Sequence, residues 1–280
     1  MTQEIHYAFD AILESDERMQ DAVLYHYLET CLETALIPCA TATAPTGAWG
    51  RDWHGCLPER REMARAAYTS RPVRDALGAT ILNDSASIRA FAGNVSRTSG
   101  YGITLRNLRN PVEQMRHAMP GEDLRAHLAA IGAGHGDPVL VSPDFDLVHM
   151  RRFLVVDGRI TSESPMAFSA ELACIPGDDF IDFGVSPDGA LEDGSPGMRL
   201  DQLRVAEALL AKFPLSCGAI DVGLEQHEIE PRARVGAVTA APPGGVFPYM
   251  ADLARHARAV ADHAARRAPA QAAAPSPDQD

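Results

Sequence analysis

The sequence contains almost no lysine and far fewer basic than acidic residues. Only Lys212 among the 25 basic residues is a lysine, and the 38 acidic residues bring the net charge to -13. A protein that binds nucleic acid or an anionic membrane needs a basic face. We therefore expect neither nucleic acid nor a membrane as a partner.

Cysteine pairs, histidine pairs and long apolar runs are missing as well. The five cysteines form no CxxC pair, and the ten histidines show no HExxH or HxH spacing, which gives little support to a disulfide framework or to a zinc or iron site. The sequence also lacks a signal-peptide pattern and any run of about 18 apolar residues. These absences predict a cytoplasmic protein without a membrane span.

The periodicity of the first residues predicts an α/β fold. The segment EIHYAF alternates like a strand, ERMQDAVLYHYLETCLETA has apolar residues at helical spacing, and LIPCATAT is a second short strand. This β-α-β opening predicts a layered α/β (α+β) domain. The stretch APTGAWGRDWHGCLPERR that follows is rich in Gly, Pro and Trp, and we interpret it as a loop.

A stretch rich in Ser, Gly and Arg between residues 95 and 110 divides the sequence. We interpret it as a flexible connection or a phosphate-facing loop, and we place a domain boundary before it. GATILND predicts a strand ahead of the stretch, with Asp84 or Ser85 as the cap of the helix SASIRAFAGN. PVEQMRHAM and GEDLRAHLAAIGAG predict helices after it.

The second half of the sequence predicts a hairpin and a long helix. RRFLVVDGRITSES contains two strands joined at the turn Asp157-Gly158. DQLRVAEALLAKF places its apolar residues on one helical face and ends at Pro214. The last segment, APAQAAAPSPDQD, is of low complexity and predicts a disordered tail.

Three acidic residues interrupt two short apolar runs in GAIDVGLEQHEIEP. If AIDVGL and HEIEP form a hairpin with residues 225 and 226 at its tip, Asp221 pairs with Glu230, and Asp221, Glu228 and Glu230 share one face. Like charges opposite each other destabilise a strand pair, and oxygen donors suit Mg²⁺. The pattern therefore favours a magnesium site.

A surface hairpin is the alternative interpretation of these acids. In that case they are solvated, or Arg232 and Arg234 neutralise them as ordinary salt bridges. The order of the elements around the hairpin favours the metal site over this alternative.

That order resembles the C-terminal half of the ATP-grasp ligases. The strand pair around RRFLVVDGRI is followed by the helix DQLRVAEALLAKF, by AIDVGL, by HEIEP and by a Gly-rich segment. VLVSPDFDLVHMRRFLVVDGRITSES is also similar to a short bacterial ATP-grasp clade. The resemblance covers roughly residues 138 to 260 and implies an antiparallel-sheet ATP-binding domain after the N-terminal β-α-β layer.

The resemblance also implies roles for single residues. Asp221 matches the family's first metal-binding acid and Glu228 the second, while Glu230 stands where Asn is usual. Arg152 would face the transferred phosphate or the acyl phosphate, unless it is an ordinary strand arginine at the surface. The segment from Val141 to Asp144 would lie along the adenosine.

The lysines with which this family binds the α and β phosphates are absent here. Arg97, Arg106 and Arg109 in SRTSGYGITLRNLRN are the candidates to replace them, although arginine has a broader and more rigid fork than lysine. The nucleotide site has therefore either been rebuilt around arginine or lost its activity.

With this resemblance, the first hypothesis is an ATP-dependent ligase that uses Mg-ATP to join a carboxylate to an amine, or to a thiol, through an acyl phosphate. Its substrate would be an amino acid or a peptide. The second hypothesis is a degenerate, non-catalytic ATP-grasp fold that acts as a binding or scaffold protein, and the third is a metal-dependent hydrolase.

The resemblance divides the chain into three parts. Residues 1–94 would form the N-terminal α/β domain, 95–264 the ATP-grasp-like domain, and 265–280 the tail. The hypothesis allows a homodimer, although the sequence does not determine the oligomeric state.

Overall fold

The computed structural model describes residues 5–8, 39–42, 48–49, 57–111, 115–165, 196–225, 231–240, 255–256, 258–259 and 262–263. Within these residues the strands form three sheets, which we call the N-terminal, middle and C-terminal sheets. No helix in the described part of the chain is long and apolar enough to cross a bilayer.

The N-terminal sheet consists of three short parallel strands in the order β2-β1-β3. Its strands are β1 (Ile5–Ala8), β2 (Cys39–Ala42) and β3 (Ala48–Trp49). The first two confirm the strands of the predicted β-α-β opening, and the helix expected between them lies outside the described residues. β3 lies inside the stretch that we expected to be a loop.

Two helices that the sequence analysis did not predict come next, α1 (Leu57–Thr69) and α2 (Arg71–Leu77). They lead to strand β4 (Thr80–Leu82) and helix α3 (Ser85–Ser99). The Asp84 carboxylate accepts a hydrogen bond from the backbone N–H of Ser87 at 2.7 Å, which identifies Asp84 as the helix cap.

The middle sheet is antiparallel and has the strand order β4-β7-β5-β6. It includes β5 (Gly102–Asn107), β6 (Met115–Ala118) and β7 (Val139–Asp144), with helix α4 (Leu124–Ala130) before β7. α4 confirms the helix expected in GEDLRAHLAAIGAG.

Two predictions in this region are wrong. The stretch from residue 95 to 110 is no flexible connection, because it forms the end of α3 and strand β5. PVEQMRHAM was expected to be helical, but its residues 115–118 form β6 along the edge of β5. Ala118 is buried opposite Ile103, so tertiary pairing overrides the local helical preference.

The C-terminal sheet is antiparallel and has the order β11-β10-β8-β9. Its elements are β8 (Leu147–Val156), β9 (Arg159–Pro165), helix α5 (Pro196–Lys212), β10 (Cys217–Glu225) and β11 (Arg232–Ala240). Asp157 and Gly158 have φ angles of 51° and 71°, which confirms the predicted turn between β8 and β9. α5 confirms the predicted long helix.

Two apolar cores hold these layers together. One lies between the C-terminal sheet and helices α1, α2 and α5, with Phe153, Ile220, Val222, Val238 and Ala206 among its buried members. The other lies between the middle sheet and helix α3, with Ile88, Leu105, Ile131 and Val141 among its members. The predicted domain boundary at residue 95 falls inside α3, and the division of the chain into domains stays a prediction.

Candidate functional site

The chain crosses from the middle sheet to the C-terminal sheet through two residues only. β7 ends at Asp144 and β8 begins at Leu147, so residues 145–146 make the connection. The segment that the resemblance placed along the adenosine therefore ends where the two sheets adjoin.

Four side chains join the two sheets beside this connection, and we call them the inter-sheet cluster: Tyr101, Phe145, Glu225 and Arg234. The Tyr101 and Phe145 rings meet edge to face with centroids 5.7 Å apart, and the Arg234 guanidinium lies 4.2 Å from the Phe145 centroid. Arg234 also pairs with Glu225, whose Oε1 accepts from the Tyr101 hydroxyl at 3.3 Å. Burial, aided by the Glu225 carboxylate, raises the pKa of Tyr101 and so favours the protonated hydroxyl that donates this bond.

Arg152 on β8 and Asp221 on β10 stand directly opposite each other. Arg152 Nε donates to Asp221 Oδ1 at 2.7 Å, and Nη2 donates to Oδ2 at 2.8 Å. The Asp221 side chain is only 6% exposed and that of Arg152 is 21% exposed. Such a bidentate pair fixes the plane of both groups. The structure thus brings together the predicted phosphate-facing arginine and the first predicted metal-binding acid.

The predicted register of the acidic hairpin is wrong. Asp221 pairs with Ala237 rather than Glu230, because β10 continues to Glu225 and β11 begins only at Arg232. Burial of the apolar positions of RARVGAVTA sets this register, since a slip of one residue would turn them outward. Glu228 and Glu230 lie in the connection between the strands, outside the described residues, and their role as metal ligands stays a prediction.

The predicted adenosine segment has two different environments. Val141 is fully buried in the core of the middle sheet, between its strand partners Thr80 and Leu105. Asp144 lies at the end of the strand, where its Oδ2 is 2.9 Å from His117 Nδ1. This hydrogen bond raises the pKa of His117. Of the two residues, only Asp144 places its side chain outside the core.

Each of the three candidate phosphate-binding arginines contacts a different part of the protein. The Arg106 guanidinium, on β5, lies 4.4 Å from the centroid of the Tyr68 ring and donates to the carbonyl of Pro111. Arg109 Nη2 lies 2.6 Å from Asp137 Oδ1. Arg97 Nε donates to the carbonyl of Gly93 on α3 at 3.3 Å. Their assignment to the nucleotide stays a prediction.

Sequence reasoning missed a second group of charges on the opposite face of β8. Glu163 on β9 lies within 3.9 Å of Arg151 and also pairs with Arg199 on α5. Burial lowers the pKa of Arg151. The period of two along RRFLVV was the available indication, because it places Arg151 and Arg152 on opposite faces of the strand.

Comparison with known proteins identifies a similar fold but no similar sequence. No protein-family model matches the chain, and no curated protein matches it in sequence. Among solved structures, D-alanyl-alanine synthetase A from Vibrio cholerae is 12% identical with a TM-score of 0.57, and the match covers 95% of this chain and all of that one.

A second similar structure is D-alanine–D-alanine ligase from Bacillus anthracis, complexed with ATP. It is 9% identical with a TM-score of 0.50, and the match covers 96% of this chain and 98% of that one. The protein therefore has the ATP-grasp fold, a mixed α/β architecture that confirms the predicted fold class.

Proposed function

We propose that the protein is an ATP-dependent ligase that joins a carboxylate to an amine through an acyl phosphate. The observation that carries this proposal is the bidentate pair of Arg152 and Asp221, held on adjacent strands of the C-terminal sheet of an ATP-grasp fold. The named activities of the similar structures, which form a dipeptide of alanine, support the same class of reaction.

Arg152 is the residue that acts on the reacting group in this proposal. Its charge is permanent, and the two hydrogen bonds that it donates to Asp221 fix the plane of the guanidinium before any ligand arrives. A cation that is already oriented stabilises the oxygens of a phosphoryl group as they gain negative charge, without reorganising during the reaction. Asp221 is then a positioning residue for Arg152.

The described residues do not by themselves fit a magnesium site. Both oxygens of Asp221 accept hydrogen bonds from Arg152, and the residue that faces Asp221 on β11 is Ala237. Mg²⁺ needs several oxygen ligands in octahedral geometry. A magnesium ion would thus depend on Glu228 and Glu230, and the proposed catalysis rests on Arg152 instead.

The nucleotide, in this proposal, lies where the two sheets adjoin. Asp144, the connection at residues 145–146 and the inter-sheet cluster are the described groups at that position. The buried side chain of Val141 contributes through the strand that it stabilises rather than by direct contact.

Trapping of the acyl phosphate tests the reaction. The protein is incubated with ATP, Mg²⁺, hydroxylamine and a panel of amino acids and short peptides, and hydroxamate and ADP are measured together. We expect one carboxylate substrate to yield both products in equal amounts. Arg152→Met should abolish them, whereas Arg71→Met, which removes an arginine with an 85% exposed side chain, should retain full activity.

A second candidate function is a non-catalytic binding or scaffold protein with the same fold. Two observations favour it: Ala237 rather than an acid faces Asp221, and the sequence has a single lysine. Calorimetry with ATP in the presence and absence of Mg²⁺ separates the candidates. A folded chain that releases no heat with ATP in either condition would replace the ligase proposal with the scaffold.

A further inference from the structure

Three side chains able to bind a transition metal lie together at the end of the β8–β9 hairpin. Asp157, Cys217 and His263 each place one ligand atom within 4.8 Å of the others. Asp157 follows Arg152 by five positions, which corresponds to about 16 Å along a strand. The group is therefore separate from the pair assigned to phosphoryl transfer.

The C-terminal sheet itself fixes two of these three residues. Cys217 begins β10 directly opposite Val156, the last residue of β8, and Asp157 is the next residue along the chain. The backbone N–H of Gly158 in the turn donates to the carbonyl of Ser216 at 3.0 Å. This bond ties the turn to the start of β10, so the carboxylate and the thiol are held side by side by backbone pairing.

The third residue arrives from the C-terminal segment, which we define as the described residues between 255 and 263. Arg255 donates to the carbonyl of Ile160 at 3.0 Å, and His256 Nδ1 lies 2.8 Å from the Thr161 hydroxyl. These two contacts hold the segment against β9. They bring His263 to the hairpin end, where its Nδ1 lies 2.7 Å from Asp157 Oδ1.

The distance between the thiol and the imidazole matches that of a tetrahedral metal site. An ion about 2.3 Å from a sulfur and about 2.0–2.1 Å from an imidazole nitrogen keeps these two donors about 3.6 Å apart. Cys217 Sγ lies 3.7 Å from the ring nitrogens of His263. The contact between His263 and Asp157 is a hydrogen bond and has to lengthen on metal entry, which a rotation of the 40% exposed Asp157 side chain permits.

We propose that Asp157, Cys217 and His263 bind a divalent transition-metal ion of the Zn²⁺ type and that the ion fastens the C-terminal segment to the sheet. A thiolate with an imidazole selects zinc-like ions over Mg²⁺ or Ca²⁺, which take oxygen ligands. Three protein ligands leave the fourth position to water. Binding displaces the proton of the Cys217 thiol into solvent, and the imidazole of His263 coordinates through the ring nitrogen that carries no proton.

A thiol nucleophile with a histidine base is the other chemistry that these residue types allow. The geometry argues against it in two ways. Cys217 is only 2% exposed, and its sulfur lies no nearer to Nε2 than to the Nδ1 that contacts Asp157. A nucleophile needs an open approach for its substrate, whereas a metal ligand can reach the ion from the interior.

Metal titration of the full chain tests the proposal without any nucleotide, so its result is independent of the ligase activity. The protein is stripped with EDTA, checked for folding by circular dichroism, and titrated with Zn²⁺ by calorimetry and with Co²⁺ by absorption. We expect one ion per chain and a thiolate-to-cobalt charge-transfer band that Cys217→Ser abolishes. Asp157→Asn, which suits the turn, and His263→Gln should each weaken binding at least about tenfold.

Matched variants and a second readout complete the test. Cys39→Ser in the N-terminal sheet and His135→Gln at an exposed position should keep the full affinity. Zn²⁺ should also slow tryptic cleavage at Arg255 and Arg258, and it should fail to do so in His263→Gln. A folded protein that binds no stoichiometric Zn²⁺, a Co²⁺ spectrum without the thiolate band, or fast alkylation of Cys217 that Zn²⁺ does not slow would each overturn the proposal.

Discussion

The C-terminal sheet buries more of its paired charges than the middle sheet does. In the C-terminal sheet Arg151, Glu163, Asp221 and Glu225 are all buried and have partners on neighbouring elements. At the middle sheet one member of each pair is open to water, since the side chain of His117 is 55% exposed and that of Arg109, just after β5, is 71% exposed, although Asp137 is buried beside Arg109.

A charge that is buried with its partner is needed for the stability of the fold, whereas an exposed charge is not. A buried ion that loses its partner retains its desolvation cost, whereas an exposed ion regains water. The C-terminal sheet therefore depends on its ion pairs, and the middle sheet depends on its apolar core.

Removal of Arg152 is expected to have the largest effect. Arg152→Met leaves the buried Asp221 carboxylate without its two hydrogen bonds and should lower the free energy of unfolding by about 3–5 kcal/mol in urea titration. Arg109→Met, just after β5 of the middle sheet, should cost much less, because Asp137 keeps the hydrogen bond from the backbone N–H of Gly134 at 2.8 Å. Equal losses of unfolding free energy in the two variants would contradict the difference between the two sheets.

Acid should destabilise the folded chain because of His256, which lies at the edge of the C-terminal sheet. Burial lowers its pKa to about 4 from an ordinary value of 6.5. Between these two pH values His256 is protonated in the unfolded chain and neutral in the folded chain. Its contribution to the free energy of unfolding is therefore complete above pH 6.5 and is lost as the pH falls toward 4. The loss amounts to about 2–3 kcal/mol.

Unfolding in urea at pH 7 and pH 4.5 measures this effect. The wild-type chain should lose more stability over that range than His256→Gln, which has no proton to gain. The same pH dependence in both proteins would show that His256 is not the group responsible.

Gly223 offers a smaller test of packing in the C-terminal sheet. A Cβ at this position would collide with the Met150 sulfur and would lie 2.7 Å from Leu147 Cβ, so Gly223→Ala should cost about 1–2 kcal/mol. Gly93→Ala is the matched control, because its Cβ would meet nothing within 4 Å on helix α3 and should stabilise the helix by about 0.5–1 kcal/mol. A neutral Gly223→Ala would mean that the sheet has room there.

The smallest expected effect is the titration of His117 in the middle sheet. Its hydrogen bond to Asp144 raises the pKa, so Asp144→Asn should lower that pKa in an NMR titration. The sign is opposite to that of His256: the stabilisation is present below the ordinary pKa and disappears as the pH rises through the raised one. Added salt should reduce the shift, since both groups are partly exposed.

Local sequence patterns correctly predicted the elements whose conformation depends on neighbouring residues. The turn Asp157-Gly158, the cap at Asp84 and the long helix α5 all follow from preferences of neighbouring residues, and the structure confirms them. Strand β6 and the register of β11 were missed, because each is decided by the apolar face that a strand buries against another element.

The candidate site was likewise predicted only in part. The resemblance identified Arg152 and Asp221 as individual residues, but nothing in their spacing of 69 positions shows that they form one ion pair. Glu225 with Arg234, and Asp157 with Cys217 and His263, were missed for the same reason.

Sequence alone determined the ATP-grasp likeness, the acidic character and the turns and helices whose residues prefer one conformation. Only the tertiary structure decided which charges meet, because cross-strand pairing joins residues that are distant along the chain. Burial makes these ion pairs necessary, because a charge that is removed from water is stable only with a partner inside the fold.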